Sequence, residues 1–316
     1  MRTRRRLKWS WRRDTPVSYF PNKPWRFAIE LAALLFSASA HATLVAVVPA
    51  RKGLAIAADS RFTFMGTPCD GAFKIIEPER PLRTVAFVTG DSIFVAPPPA
   101  GENPCHYLAT APRLLDMGAV VKAYLDRSKD NPARISTAAL AAECVRDLQH
   151  FERMYPRALS GYAGRDIVSV VVVSYDPVRH VSTLRNFVVR LDAGKDAGND
   201  GRGQRVEAAR MSETAVGPED LRGIWIYGEA GYVNRSVYDG PGQRFLAPAT
   251  KNFLRVHEAI GSVTTMEAEA AAEDVVKAAS RTAEIDPPAS GIGGLVRVVV
   301  LNGQLRPDPL TNATLH

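Results

Sequence analysis

Thr43-Leu-Val-Ala-Val-Val48, Pro49-Ala-Arg-Lys-Gly53 and Leu54-Ala-Ile-Ala-Ala58 follow one another directly. The outer two stretches are short and apolar, and the middle one carries Pro and Gly. That pattern reads as two strands joined into a hairpin through a turn at 49–53. Neither strand alternates polar with apolar residues, so both faces of each are expected to be covered.

Working outward, a loop with Gly66, Pro68 and Gly71 leads to Phe73-Lys-Ile-Ile76, and a strand at Thr84–Val88 ends in Thr89-Gly90-Asp91. The Pro-rich segment 97–104 reads as a loop. Amphipathic periodicity predicts helices over about 109–128 and 136–154. Strands follow at about 166–175 and 181–191, then a polar hairpin tip at 192–205 and a short apolar stretch, Ile224–Tyr227. Residues 250–261 and 265–284 read as helical; in the second, Ala268, Ala271, Ala272, Val275, Val276 and Ala279 share a face. Leu295–Leu301 reads as a buried strand ending in the turn Asn302-Gly303. The order is strands, two helices, strands, two helices, strand, with no repeat and no clear linker. A sheet-on-sheet sandwich flanked by helix layers fits this α+β order, and periodicity by itself fits other α+β folds too.

The chain has 316 residues, is 46% hydrophobic and 23% charged, and carries a net charge of +7. These fractions exclude wholesale disorder, collagen and coiled coil. The basicity is local. Residues 1–42 hold nine Lys/Arg (Arg2, Arg4, Arg5, Arg6, Lys8, Arg12, Arg13, Lys23, Arg26) against Asp14 and Glu30, which leaves 31 basic and 31 acidic residues in 43–316. A neutral body gives no footprint for nucleic acid, so none is expected as a partner. The basic stretch precedes an apolar run, Phe27–Ala40, and Ala40-His41-Ala42 places small residues where a signal peptidase reads them. Residues 1–42 are therefore expected to be a removable leader, and 43–316 a single domain in the periplasm or outside the cell. The run is short for a membrane span, and no stable span is expected after cleavage. Cutting after Ala42 makes Thr43 the first residue.

Of the three cysteines, Cys69 and Cys105 sit in loop-like surroundings and are candidates to pair in an exported protein. Cys144 falls in a helical pattern and is expected in the core. There is no CxxC, no HExxH and no cluster of ligand-type residues. No metal or cofactor is expected, and His106, His150, His180 and His257 read as structural.

Taken together, Thr43-Leu-Val-Ala-Val-Val and Gly53-Leu-Ala-Ile-Ala-Ala-Asp59-Ser60-Arg61 resemble the start of a mature proteasome β-subunit or a bacterial proteasome-like protease. Gly53 follows Thr43 by ten residues and Asp59 by sixteen, as in that family. Lys74-Ile-Ile-Glu77 resembles its Lys, apolar pair and acid. Thr89-Gly90-Asp91 resembles the loop whose glycine N–H faces the reacting carbonyl. Asp286…Ser290-Gly291 running into 295–301 resembles its Asp…Ser-Gly run, and Ser174-Tyr-Asp176 and Ile226-Tyr-Gly228 fall at its middle strands. The resemblance spans nearly all of 43–305. It implies a four-layer αββα sandwich of the N-terminal-nucleophile (Ntn) hydrolase type, a peptide or protein substrate, and a homo-oligomer in which a ring is possible. It also implies catalytic roles for Thr43, Asp59, Lys74, Gly90, Asp286 and Ser290.

The chemistry of those residue types is coherent. A threonine hydroxyl is a weak nucleophile and needs a base. A chain-terminal threonine brings one, an α-amine with a pKa of about 7.7–8.0. An ammonium at Lys74 keeps that amine deprotonated, a carboxylate at Asp59 holds the lysine, and an N–H at Gly90 serves the oxyanion. Taken singly, Thr43 is an ordinary strand residue, Asp59-Ser60-Arg61 a turn and Lys74 a solvated charge. Their joint spacing directly behind an A-x-A site carries the reading.

The chain departs from the family at three places. Gly228-Glu229-Ala230-Gly231 stands where a Gly-Ser-Gly loop supports the amine. Pro287-Pro-Ala289 separates Asp286 from Ser290 by one residue more than usual. Ala42, where self-processing members carry Gly, points to an export peptidase as the processing enzyme. A threonine-type endopeptidase is the first expectation; a small-amide Ntn amidase and an inactive scaffold subunit are the alternatives, Glu229 favouring the last.

Overall fold

The computed structural model describes residues 43–303 apart from 73, 80–82, 129–130, 156–157, 193–204, 257 and 286–290. The leader 1–42, Asp286, Ser290, His257 and most of the expected tip at 192–205 lie outside the described residues.

The opening stretch forms the predicted hairpin. β1 (Leu44–Ala50) and β2 (Gly53–Asp59) are buried at every residue. The turn is tighter than 49–53: Ala50 pairs with Gly53, so Arg51-Lys52 alone make the bend. Gly53 has φ +149°, and a Cβ there would lie 2.3 Å from Leu301 O, which a side chain at this position cannot accommodate.

Among the described residues, nine strands form two antiparallel sheets. The first has the order β12-β1-β2-β13, with β12 at Trp225–Gly228 and β13 at Val296–Leu301. The second has the order β11-β10-β9-β6-β5: Arg205–Val216, Val181–Asp192, Asp166–Asp176, Thr84–Gly90 and Ile75–Ile76. Period-2 alternation sorts side chains by face. Val45, Val47, Leu54 and Ile56 of the first sheet share one core with Val85, Phe87, Val171 and Val173 of the second. Phe87 and Tyr227 meet edge to face across it, with ring centroids 5.1 Å apart.

The opposite faces meet helices. Leu44, Ala46, Val48, Ala55 and Ala57 lie against the helix Thr265–Ile285, whose Ala268, Ala271, Ala272 and Ala279 are buried there. Small side chains on both surfaces let helix and sheet approach closely. On the second sheet, Ala86, Val170, Val172 and Phe187 form a core with the helices Met117–Ser128 and Thr137–Met154. Cys144 is buried in that core.

Three expectations need correction, and one strand went unread. The helix predicted over 109–128 is broken into α1 (Pro104–Thr110), β8 (Arg113–Asp116) and α2 (Met117–Ser128). Pro112 is the cause: the residue before a proline disfavours helical backbone, and Ala111 is extended at φ −65°, ψ 143°. The helix α3 (Thr137–Met154) stands as read. The helix read over 250–261 is α4 (Pro248–Arg255) and stops there, whereas α5 (Thr265–Ile285) follows its predicted span. The strand read as buried over 295–301 is an edge strand, with Leu295 80% exposed and only Leu301 buried. β11 went unread because an edge strand exposed along most of its length has no apolar alternation to announce it.

Two small ribbons complete the architecture: β3 (Phe62–Phe64) with β4 (Thr67–Cys69), and β7 (Ile93–Val95) with β8. The Cys69–Cys105 disulfide ties β4 to α1. Among the described residues no helix is long and apolar enough to cross a membrane.

Candidate active site

The hairpin carries the first site residues to one end of the first sheet. Thr43 precedes β1 and is 7% exposed. Because Val45 pairs with Ala58, the next residue of β2, Asp59, comes level with Leu44. The Asp59 carboxylate accepts the Leu44 N–H at 2.9 Å and the Lys74 Nζ at 2.6 Å, both on Oδ1, and the Gly293 N–H at 3.1 Å on Oδ2. Sharing one oxygen places the lysine ammonium beside the Thr43–Leu44 peptide. The side chains of Asp59 and Lys74 are 0% and 5% exposed.

Burial sets the electrostatics of this pair. It is the largest influence on Asp59 and raises that carboxyl above its ordinary range, although Lys74 and the two backbone donors pull the other way. It also lowers the Lys74 ammonium below the ordinary lysine value, against the pull of Asp59. A lysine so placed gives up its proton more readily than one in water.

Thr43, Lys74 and Gly90 all line one cleft of about 630 Å³, and Asp59 lies behind Lys74, off its surface. Gly90 ends β6 with φ +89°, and a Cβ there would sit 2.6 Å from Ile167 O. Four of the six expected residues are thus brought together; the other two, Asp286 and Ser290, lie outside the described residues.

Comparison with known proteins adds little. No protein-family model matches the chain, and no curated protein matches it. Among solved structures it is similar to Thiobacillus denitrificans BPH in complex with epoxomicin, at 16% identity and a TM-score of 0.37, covering 83% of this chain and 100% of that one. A second structure of Thiobacillus denitrificans BPH has 18% identity and a TM-score of 0.35 over 84% of this chain and 100% of its own. Anbu (ancestral beta-subunit) from Yersinia bercovieri has 10% identity and a TM-score of 0.38, over 82% and 81% of the two chains. At these values the likeness carries no argument, and the roles below rest on this chain's own residues.

Several contributors escaped the sequence reading. Thr43 O accepts the Glu229 N–H at 3.0 Å, so Glu229 holds the threonine through its backbone. Gly228 makes that approach possible: its φ is +79°, and a Cβ would fall 1.8 Å from Thr43 O. Ser60 and Arg61 fasten the Gly291–Gly294 loop. Leu295 N–H donates to Ser60 Oγ at 2.8 Å, and Arg61 N–H donates to Gly293 O at 2.9 Å. The Arg61 guanidinium is held by Asp70 at 2.7 Å. The sequence signal for this loop was its paired glycines; Gly293 at φ +149° leaves room for Arg61, whose Nη1 would be 2.6 Å from a Cβ.

Proposed function

We propose that this chain is an exported threonine-type Ntn hydrolase that cleaves amide bonds in peptides or proteins, on the four-layer αββα sandwich of the proteasome-like family. The observation that supports it best is the buried Asp59–Lys74 pair fastened to the peptide immediately after Thr43, at the wall of a cleft. A buried ion pair is a poor stability device, since taking two charges out of water costs about as much as their attraction returns. Its position beside a candidate nucleophile gives it a chemical purpose.

In this reading an export peptidase removes residues 1–42 and frees the Thr43 amine. Thr43 Oγ attacks the substrate carbonyl carbon while the α-amine takes the hydroxyl proton. Lys74 disfavours protonation of the resting amine, and Asp59 orients Lys74. The Gly90 N–H donates to the tetrahedral oxyanion, a contribution of about 3–4 kcal/mol where such donors have been removed elsewhere. The ammonium then protonates the departing amine, the C–N bond breaks, and an ester on Thr43 remains. Water, deprotonated by the same α-amine, hydrolyses the ester and restores the enzyme. Asp286 and Ser290 keep the catalytic roles that the resemblance implies for them. The Cys69–Cys105 disulfide accords with folding in an oxidising compartment, periplasmic or extracellular. A homo-oligomer is part of the proposal.

The test compares Thr43→Ser with Thr43→Ala in protein whose first residue is 43 by N-terminal sequencing. Serine keeps hydroxyl and amine and retains turnover. Alanine keeps the amine alone and abolishes both peptide hydrolysis and covalent labelling by an epoxyketone. Hydrolysis by Thr43→Ala at the wild-type rate overturns the assignment and leaves the scaffold alternative.

A further inference from the structure

The short helix α1, which follows the Pro-rich segment, serves no purpose in the mechanism above, yet it lines one wall of the cleft. α1 has seven residues, and Leu108 is its only buried side chain. A helix of that length is not stable alone in water. Asn103 caps it, with Oδ1 accepting the N–H groups of Cys105 at 2.9 Å and His106 at 3.1 Å. What fixes it in space is the Leu108 contact together with the disulfide to Cys69 on β4. Cys105, Leu108 and Ala109 stand at i, i+3 and i+4, so one face of α1 carries the bridge and lines the cleft. Phe64 from the tethered hairpin and Ile93 from β7 line the same cleft.

The cations on the cleft wall already have counter-charges. Lys74 faces Asp59, Arg113 faces Asp116, Lys122 faces Asp126 at 2.7 Å, and Arg297 faces Glu77 at 2.5 Å. An incoming acidic side chain would lose water to reach cations already engaged, and a basic one would reach Asp70, Glu77 and Asp116, which Arg61, Arg297 and Arg113 already hold, whereas an apolar one finds Phe64, Ile93 and Leu108. We infer that the disulfide-strapped lobe of β3, β4 and α1 forms a subsite for a large apolar substrate side chain, and that the bridge holds that subsite in shape. The inference rests on the reading of Thr43 as nucleophile only for its effect on hydrolysis. Binding tests it separately.

The experiment uses the processed Thr43→Ala protein, with and without Cys69→Ser/Cys105→Ser. Binding of N-acetyl tripeptide amides ending in Phe, Lys or Glu is measured by calorimetry. With the bridge intact, the Phe peptide binds roughly tenfold or more tighter than either charged one, the gain expected from burying an aromatic side chain. Without the bridge that preference collapses to within about threefold, and amide exchange of 104–110 accelerates while that of β1 and β2 does not. Leu108→Ser, with the bridge kept, lowers the preference on its own and serves if the double serine variant fails to fold. Equal binding of all three peptides with the bridge intact overturns the inference, as does an undiminished preference in the bridgeless or Leu108→Ser protein. Epoxyketone labelling of Thr43 in otherwise wild-type protein is read in parallel. Its absence counts against the nucleophile assignment, and the peptide preference decides the subsite either way.

Discussion

Replacing Asp59 by alanine removes the carboxylate 2.6 Å from the Lys74 ammonium, in a place where the two side chains are 0% and 5% exposed. Two backbone donors, Leu44 N–H and Gly293 N–H, lose their acceptor in the same step. Breaking a buried pair on one side costs about 3–5 kcal/mol. A second route gives the same size. The lysine escapes by deprotonating, and moving it from its ordinary 10.5 to neutral at pH 7.5 costs at most about 4 kcal/mol at 1.36 kcal/mol per unit. We therefore expect Asp59→Ala to lose about 3–5 kcal/mol and Lys74→Met somewhat less, because Asp59 keeps two donors.

The combination Asp59→Asn/Lys74→Met behaves differently. The Asp59 pKa is raised in the fold, so its linkage contribution is present below 3.8 and lost as pH rises through the folded value. The Lys74 pKa is lowered, so its contribution is present above 10.5 and lost as pH falls through the folded value. Between those limits the charged pair works against folding, and a neutral pair of similar size recovers most of what either single change loses. The double variant should sit within about 2 kcal/mol of wild type, the remainder reflecting the asparagine NH₂ that faces one of the two N–H donors. Urea unfolding at pH 7.5 with the disulfide intact supplies the midpoints and slopes. An Asp59→Ala loss below 1 kcal/mol, or a double variant as unstable as the sum of the singles, refutes the account of this pair. Peptide hydrolysis is expected to vanish in all three, which separates the chemical role from the structural one.

Gly228→Ala places a Cβ against Thr43 O at φ +79°, and peptide hydrolysis should fall by at least tenfold while the urea midpoint moves modestly, since only the end of β1 must shift. Opening the 36-residue separation closed by Cys69–Cys105 should lower stability by up to about 4 kcal/mol in the chain-entropy account, read as the midpoint difference between the native and Cys69→Ser/Cys105→Ser proteins. The alkaline limb of kcat/KM should fall below the ordinary lysine value of 10.5, because burial lowers Lys74 and its charge is lost as pH rises; a limb at or above 10.5 contradicts the assigned role. Cys144, buried and with its thiol pushed up to about 12, should resist iodoacetamide in the native protein at pH 8 and react only after unfolding.

The strands most legible in the sequence are those whose burial leaves a run of apolar residues. β1, β2, β9 and β10 were readable, and so were α3 and α5, because a local period reports which face is covered. The candidate nucleophile, acid and lysine were readable for a related reason: Thr43, Asp59 and Lys74 lie within one hairpin and the segment after it, where spacing along the chain tracks distance in space. The tertiary structure alone decided which distant backbone completes the site. Gly293 reaches Asp59 across 234 residues, and the Glu229 N–H reaches Thr43 O through a glycine with no room for a Cβ. It also brought α1 against β4 at the wall of the cleft, where Cys105 meets Cys69. The physical reason is the same in each case. A strand or helix records its own burial every two or three to four residues, whereas a hydrogen bond between returning segments leaves at most a glycine to mark where they meet.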